Sequence, residues 1–402
     1  MSFLTLPLKK VSTVVGRGIT PSYAVDGDVT VLNQRCVRDG RVDFSNARRH
    51  DSNVRTIRNE KRLCSGDILI NSTGVGTLGR TARLVSVHGL TVVDSHVTVV
   101  RANGQTDSRW LAYVLSWNEP QIEAMAEGST GQTELSQHRL AELQVLVPPL
   151  AEQRGIAATL GALDDKIESN KRIVDKIGLL FAAEFSSVQE GATSFVELRE
   201  IVSITKGVSY RSADLVKART SLVTLKSFDR NGGYKAVGLK PYVGPYKESQ
   251  VIRTGELIVA QTDLTQGAEV VGRAVRVPRA SSADVLVASL DLAIVRPLGN
   301  MPEEYLYGLL TAESFREHCR SRTSGTTVLH LAGDAIPQYR APLVPLVDQE
   351  RFAKVSHPLI ERSDSLEREI ECLIHLRDTL LPELLSGRIR VPEAQEAVET
   401  VV

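Results

Sequence analysis

Two stretches of the chain place apolar residues at alternating spacings of four and three. They are separated by long regions in which β-branched residues alternate with polar ones and glycines mark the turns. Ile156, Leu160, Leu163, Ile167, Val174, Ile177 and Phe181 follow the first spacing and predict the a/d seam of a coiled-coil helix, started by Pro148 and Pro149. Asn170 falls on the same stripe, either as a polar residue that fixes register or as a half-exposed position near a helix end. Phe352, Val355, Leu359, Leu366, Ile370, Leu373 and Leu380 follow a looser version, ended by Ser386-Gly387 and Pro392.

The regions before the two helices repeat each other at an offset of about 190 to 196 residues. Gly18-Ile19 with Val31-Leu32 answers Gly207-Val208 with Val223-Thr224-Leu225. Cys64-Ser65-Gly66-Asp67-Ile68-Leu69-Ile70, running on to Gly79-Arg80, answers Arg253-Thr254-Gly255-Glu256-Leu257-Ile258-Val259, running on to Gly272-Arg273. Val93-Asp94 through Val100-Arg101 resembles Leu290-Asp291 through Val295-Arg296. Ser129-Thr130-Gly131 answers Thr323-Ser324-Gly325, and Pro149-Leu150-Ala151-Glu152-Gln153-Arg154 answers Pro345 through Arg351. Five matches in one order predict a duplicated unit: strands, then a short helix, then a proline boundary, then a long helix. Each long helix, at about 35 residues, would extend about 50 Å. That exceeds one turn of duplex DNA, about 34 Å, so an antiparallel pair of such helices suggests a ruler between two inverted copies.

Composition narrows the function classes. At 402 residues the chain is long enough for two or three folded units, and 42% hydrophobic with 24% charged residues is ordinary for a globular protein. No apolar run reaches the roughly 20 residues of a membrane span, and the N-terminus lacks a signal-peptide layout, so a cytoplasmic protein without a membrane partner is expected. Cys36, Cys64, Cys319 and Cys372 lie far apart, with no metal-ligand spacing. The net charge of zero conceals a partition: residues 1–148 hold 17 basic and 14 acidic residues and 189–344 hold 19 and 16, whereas 345–402 hold 7 and 12. The two strand-rich regions are mildly basic, which suits an anionic partner as well as it suits ordinary surface scatter.

The segments Pro148-Pro149-Leu150-Ala151-Glu152-Gln153-Arg154-Gly155-Ile156-Ala157, Leu163-Asp164-Asp165-Lys166-Ile167-Glu168 and Leu376-Arg377-Asp378-Thr379-Leu380-Leu381-Pro382-Glu383-Leu384-Leu385-Ser386-Gly387 resemble the central and C-terminal repeats of type I restriction-modification specificity subunits. Gly128-Ser129-Thr130-Gly131 with Leu135-Ser136 is similar to the segment closing that family's recognition domains; Val344 and Asp348 depart from its pattern. The resemblance implies an α+β fold with two β-rich target recognition domains, 1–148 and 189–344. Two long antiparallel coiled-coil helices, 149–188 and 345–388, would separate them by an internal pseudo-two-fold repeat, with 389–402 as a tail. It implies a non-catalytic subunit that binds a split, asymmetric duplex DNA target. Its partners would be two methyltransferase subunits and a restriction/translocase subunit, which use S-adenosylmethionine, ATP and Mg2+; none of these cofactors is expected on this chain. The alternatives are a recognition subunit of another phage-defence methyltransferase system, or a protein-binding coiled-coil adaptor. Self-association of the isolated chain is expected from its exposed helix faces.

Motifs of other chemistries fail on context. Gly74-Val75-Gly76-Thr77-Leu78-Gly79 has the letters of a dinucleotide fingerprint, but Arg80 to Val87 reads as another strand, which favours a hairpin. Val147-Pro148-Pro149-Leu150 lacks the polar and aromatic residues of an amino-methyltransferase motif, and there is no phosphate loop of the Gly-x4-Gly-Lys type. Loop residues able to reach base edges or phosphates are the DNA candidates. In the first region these are Arg17, Asn71, Ser72, Thr73, Arg80, Ser129, Thr130 and Gln132. In the second they are Lys206, Ser209, Tyr210, Arg211, Gln261, Thr262, Arg273, Ser324 and Thr326. The run of Arg35, Arg38, Arg41, Arg48, Arg49, Arg55, Arg58, Lys61 and Arg62 could track phosphates. Glu152, Gln153, Arg154, Asp164 and Asp165 are the candidates for a partner subunit. Ile156, Leu160, Leu163, Ile167, Val174, Ile177, Phe352, Leu359, Leu366 and Leu373 are the expected seam.

Overall fold

The computed structural model describes residues 3–128, 133–192, 194–229, 232–235, 238–265, 267–278 and 285–399. The chain is mixed α and β, and forms two compact units: Met1–Glu168 with Glu371–Val402, and Ser169–Ile370. Each contains one copy of the same strand frame.

In the first unit the strands Ser12–Arg17, Val97–Ala102, Ile68–Asn71 and Thr81–Arg83 lie side by side in that order, all antiparallel. A second sheet sets Val29–Leu32 between Arg48–His50, antiparallel, and Thr91–Val93, parallel. Leu32, Leu69, Val93, Val97 and Val99 share a core with Cys36, Leu63 and Leu84. The helix Ser108–Trp117 is started by Asp107, whose carboxylate accepts the N–H groups of Arg109 and Trp110, and it packs on Thr81–Arg83 and Val97–Ala102. Ile68, Leu69 and Ile70 are therefore all buried, which is why this stretch reads as a continuous apolar run.

The second unit repeats the order with Val202–Lys206, Leu292–Pro297, Leu257–Ala260 and Ala274–Arg276, and repeats the parallel pair with Thr220–Val223 and Val285–Ala288. Two devices recur. Gly18 and Gly207 let strands cross at contact: a Cβ would lie 2.1 Å from the Val93 oxygen in one and the Ser289 oxygen in the other. A carboxylate, buried at Asp67 and half-buried at Glu256, also takes a bidentate arginine in each unit. Arg101 donates from Nε and Nη2 to Asp67 at 2.7 and 2.8 Å, and Arg296 does the same to Glu256 at 2.6 and 2.8 Å.

The frame also corrects two alignments. Val97 pairs with Asn71 and Leu292 with Ala260, so His96, not Asp94, is the counterpart of Asp291. Likewise Gly128 and Gly325 each follow a two-residue strand, Ala126–Glu127 and Thr323–Ser324, so Gly325 answers Gly128 rather than Gly131. The Gly74 to Gly79 segment connects Ile68–Asn71 to Thr81–Arg83, with Gly74, Gly76 and Gly79 at positive φ, and opens no helix.

The long helices run from Leu150 to Gln189 and from Leu346 to Ser386. Within the first unit they are antiparallel: Glu152 pairs with Arg390 at 3.5 Å and Asp164 with Arg377 at 2.9 Å, while Ile156, Leu160, Leu163, Ile167 and Leu373 are buried. Within the second unit Phe181 and Phe185 meet Phe352 with ring centroids 5.4 and 5.3 Å apart, and Ile177 and Leu366 are also buried. Val174 and Leu359 are only half-buried, and Val355 is 48% exposed. Gln349, Phe352, Ser356 and Ile360 carry the buried stripe there. Their eleven-residue span keeps pace with a straight α-helix, whereas a seven-residue repeat drifts around it. The segment after residue 388 carries a helix, Val391–Glu399.

Candidate nucleic-acid interface

In the first unit the strand ends converge on residue 72. Its N–H donates to the His96 oxygen and its carbonyl accepts from the Leu135 N–H, both at 2.8 Å. This places Thr73 beside two exposed polar side chains. Its hydroxyl lies 2.9 Å from His96 Nδ1, and its backbone bridges to Glu134. Arg17 buttresses the group, donating to the Ser95 and Leu135 oxygens at 2.9 and 2.6 Å and pairing with Glu134 at 2.8 Å. Burial pulls its pKa down, against the opposing pull of Glu134.

The second unit builds the same group from different side chains. The Gln261 N–H donates to the Asp291 oxygen at 2.7 Å, and the Leu331 N–H donates to the Gln261 oxygen at 2.8 Å. Thr262 donates its hydroxyl to Asp291 Oδ1 at 2.9 Å and pairs across the ladder with His330. Lys206 stands where Arg17 does, and Gln250 donates to its carbonyl as Lys61 donates to that of Arg17. One backbone frame thus presents His96 and Glu134 in one unit, and Asp291 and His330 in the other. These four were missed by sequence reading, because turn composition marks loops but not which loop residues share a strand register.

Other expected residues fall elsewhere. Asn71 and Ser72 are fully buried: Asn71 donates to the Gln34 oxygen at 3.0 Å, and the Ser72 hydroxyl is 2.6 Å from that of Thr98. Thr262 is 8% exposed. These three spend their polar groups on the frame itself, which withdraws their side chains from the surface. Arg80 lines a cleft with Trp117, Glu119 and Asp378, whose lining includes neither Thr73 nor His96. Arg273 donates to the Glu269 oxygen at 2.5 Å; burial and then Arg316 and Arg320 lower its pKa. Lys206, Ser209, Arg211, Ser324 and Thr326 are exposed, and Tyr210 and Gln261 half-buried. Ser129, Thr130 and Gln132 lie outside the described residues.

Of the helix residues, Gln153 is 2% exposed and bonded inward. Its Nε2 donates to the Pro148 oxygen and its Oε1 accepts the Asp107 N–H, both at 2.9 Å, so it braces the helix start and is withdrawn from any partner surface. Gln349 repeats the first bond at 2.8 Å, but Pro302 stands at the position of Asp107 and has no N–H, leaving Oε1 without a partner among the described residues. Asp164 accepts from the Tyr113 hydroxyl as well as Arg377; burial and then Asp164 push the phenol above its usual range. Arg154 is exposed, and Asp165 pairs with Arg109 at 2.7 Å while staying 71% exposed. Among the described residues no group of three or more His, Cys, Asp or Glu is placed to hold a metal, and no helix is long and apolar enough to cross a membrane.

Residues 45–178 match the family model for the type I restriction modification DNA specificity domain. The specificity subunit of the type I restriction enzyme MjaVIII from Methanocaldococcus jannaschii is 20% identical over 321 residues, covering 73% of each chain. The crystal structure of the type I restriction-modification system S subunit from M. genitalium superimposes with a TM-score of 0.62 at 15% identity, over 95% of this chain and 96% of that one, and shares its fold.

Proposed function

We propose that the chain is a type I restriction-modification specificity subunit, like the relatives it resembles, and that each unit reads one half of a split, asymmetric target. The observation that carries this reading is the substitution of side chains on a fixed frame: His96 with Glu134 in one unit, Asp291 with His330 in the other. Two copies of one domain would read different bases in this way. A carboxylate accepts from the amino group of cytosine, and an imidazole donates or accepts at a base edge in either groove.

The rest of the assignment follows from it. The long helices, 40 and 41 residues and so about 60 Å each, set the gap between the half-sites and dock two methyltransferase subunits; exposed Arg154 and Asp165 are available for that contact. A restriction/translocase subunit joins the complex. Adenine methylation from S-adenosylmethionine and ATP- and Mg2+-dependent cleavage are the work of those partners, in the cytoplasm, and this chain supplies the address.

The test is the methylation map of the source cell's genome with the gene present and deleted, in cells expressing the partner genes. Loss of one split methyl-adenine motif on deletion is the expected result. A map that does not change overturns the assignment and leaves an adaptor that binds protein.

A further inference from the structure

A cation paired with a tyrosine recurs in both units, the cations at the repeat offset and the tyrosines off it. In the first unit Arg48 stands opposite Val31 on an edge strand, and its guanidinium lies 3.5 Å from the centre of the Tyr23 ring. In the second, Lys240 stands opposite Leu222, with its ammonium 5.5 Å from the centre of the Tyr210 ring and 3.5 Å from that phenol oxygen. Val31 and Leu222 are one position of the frame, since they pair in parallel with Val92 and Val287 in matching registers. The cations are therefore equivalent by register. The tyrosines are not equivalent in sequence: Tyr23 lies five residues beyond Gly18, and Tyr210 three beyond Gly207. The same arrangement has been reached from two different loops.

Each pair stands beside the polar group of its own unit. The Tyr23 hydroxyl is 3.5 Å from Asp94 Oδ2, and the same carboxylate accepts the His96 N–H at 2.9 Å. The Val208 oxygen, two residues before Tyr210, accepts the Leu290 N–H at 2.7 Å, next to Asp291. Among the described residues neither Arg48 nor Lys240 makes a salt bridge; Arg48 acts on Asp94 at longer range, one of several groups that oppose the upward push of burial on that carboxyl. Arg48 rests on the face of Tyr23 and keeps its N–H groups available, whereas Lys240 donates to the Tyr210 phenol oxygen and keeps its other N–H groups free to donate. Each cation has also lost rotamer freedom before any ligand arrives, which favours binding by preorganisation. The ligand that fits a pre-positioned cation without a salt-bridge partner at a DNA-reading edge is a backbone phosphate.

We infer that Arg48 and Lys240 are equivalent phosphate posts, each held by its tyrosine beside the base-reading group of its unit; the inference rests on the DNA-reading role proposed above. The test uses the full chain assembled with its methyltransferase subunits, and the affinity for a duplex carrying the mapped target and for a scrambled duplex across a salt series. Arg48→Gln and Lys240→Gln should each weaken both duplexes by a similar factor. Each should also reduce the slope of log affinity against log salt by about 0.9, and the double variant should add the two losses. Arg48→Lys should retain most of the slope, and Tyr23→Ala should cost affinity only while Arg48 is present. A slope that does not change, or a changed target sequence, overturns the inference while leaving the DNA reader standing. Failure of the unaltered complex to bind either duplex overturns both. Unchanged thermal unfolding of each variant ties the losses to contact with DNA.

Discussion

Asp67 keeps 1% of its side-chain surface, and it is a charge that this fold tolerates only because Arg101 grips both oxygens while the Cys64 N–H donates at 2.7 Å. Glu256 and Arg296 do the same in the second unit, with Arg253 N–H donating at 2.8 Å. Removing the arginine would strand a buried carboxylate. Arg101→Met should therefore destabilise the first unit by the lower end of about 3–5 kcal/mol, since Arg101 itself is 27% exposed. Arg296→Met should behave alike in the second unit. Denaturant unfolding of the two variants checks this; a loss below about 1 kcal/mol would mean that the pair is solvated in solution. At this scale much was legible in the sequence, because Asp67 and Arg101, Glu256 and Arg296, and Gly18 and Gly207 all sit inside matched blocks. The polar pair that differs between the units was not. His96, Glu134, Asp291 and His330 are brought together by strand register across long separations, and composition carries no trace of register.

Among the elements, the first long helix shows why a regular stripe is readable. Ile156, Leu160, Leu163 and Ile167 are all buried, at 3% exposure or less, because a four-three alternation over about three turns stays on one face. Over 41 residues the second helix outruns that rule, and Val355 turns outward as Ser356 and Ile360 turn in. Two helical glycines separate propensity from packing. Gly178 is exposed on the first helix, and a Cβ there would meet nothing within 4 Å. Gly308, in the helix Glu303–Thr311, would drive a Cβ to 2.2 Å from the buried Phe185 ring. Gly178→Ala should stabilise the protein by about 0.5–1 kcal/mol through helix propensity and a restricted unfolded chain. Gly308→Ala should destabilise it, because overpacking an aromatic cluster costs about 1–3 kcal/mol and outweighs the same gain. Thermal unfolding of the pair decides the matter; equal shifts in the two variants would show that Phe185 is free to move aside.

For the whole molecule, a net charge of zero is the balance of two mildly basic strand-rich regions against the acidic segments 149–188, with 5 basic and 6 acidic residues, and 345–402. Residues 1–148 and 189–344 each carry three more basic than acidic residues, and 345–402 carry five more acidic than basic. So modest an excess implies that local contacts at each unit, rather than a broad positive field, set where the chain binds. If each frame reads its own half-site through its own side chains, specificity is divisible at the helix boundary. Replacing residues 1–148 by the corresponding region of another chain of this fold should change one half of the methylated motif and leave the other half and the gap as they were. The reciprocal replacement of 189–344 should change the other half alone. Sequencing the methylated sites of cells carrying each hybrid reads all three quantities at once. A hybrid that altered both halves would mean that recognition depends on contacts shared by the two units, and would remove the physical basis for assigning His96 with Glu134 and Asp291 with His330 to separate half-sites.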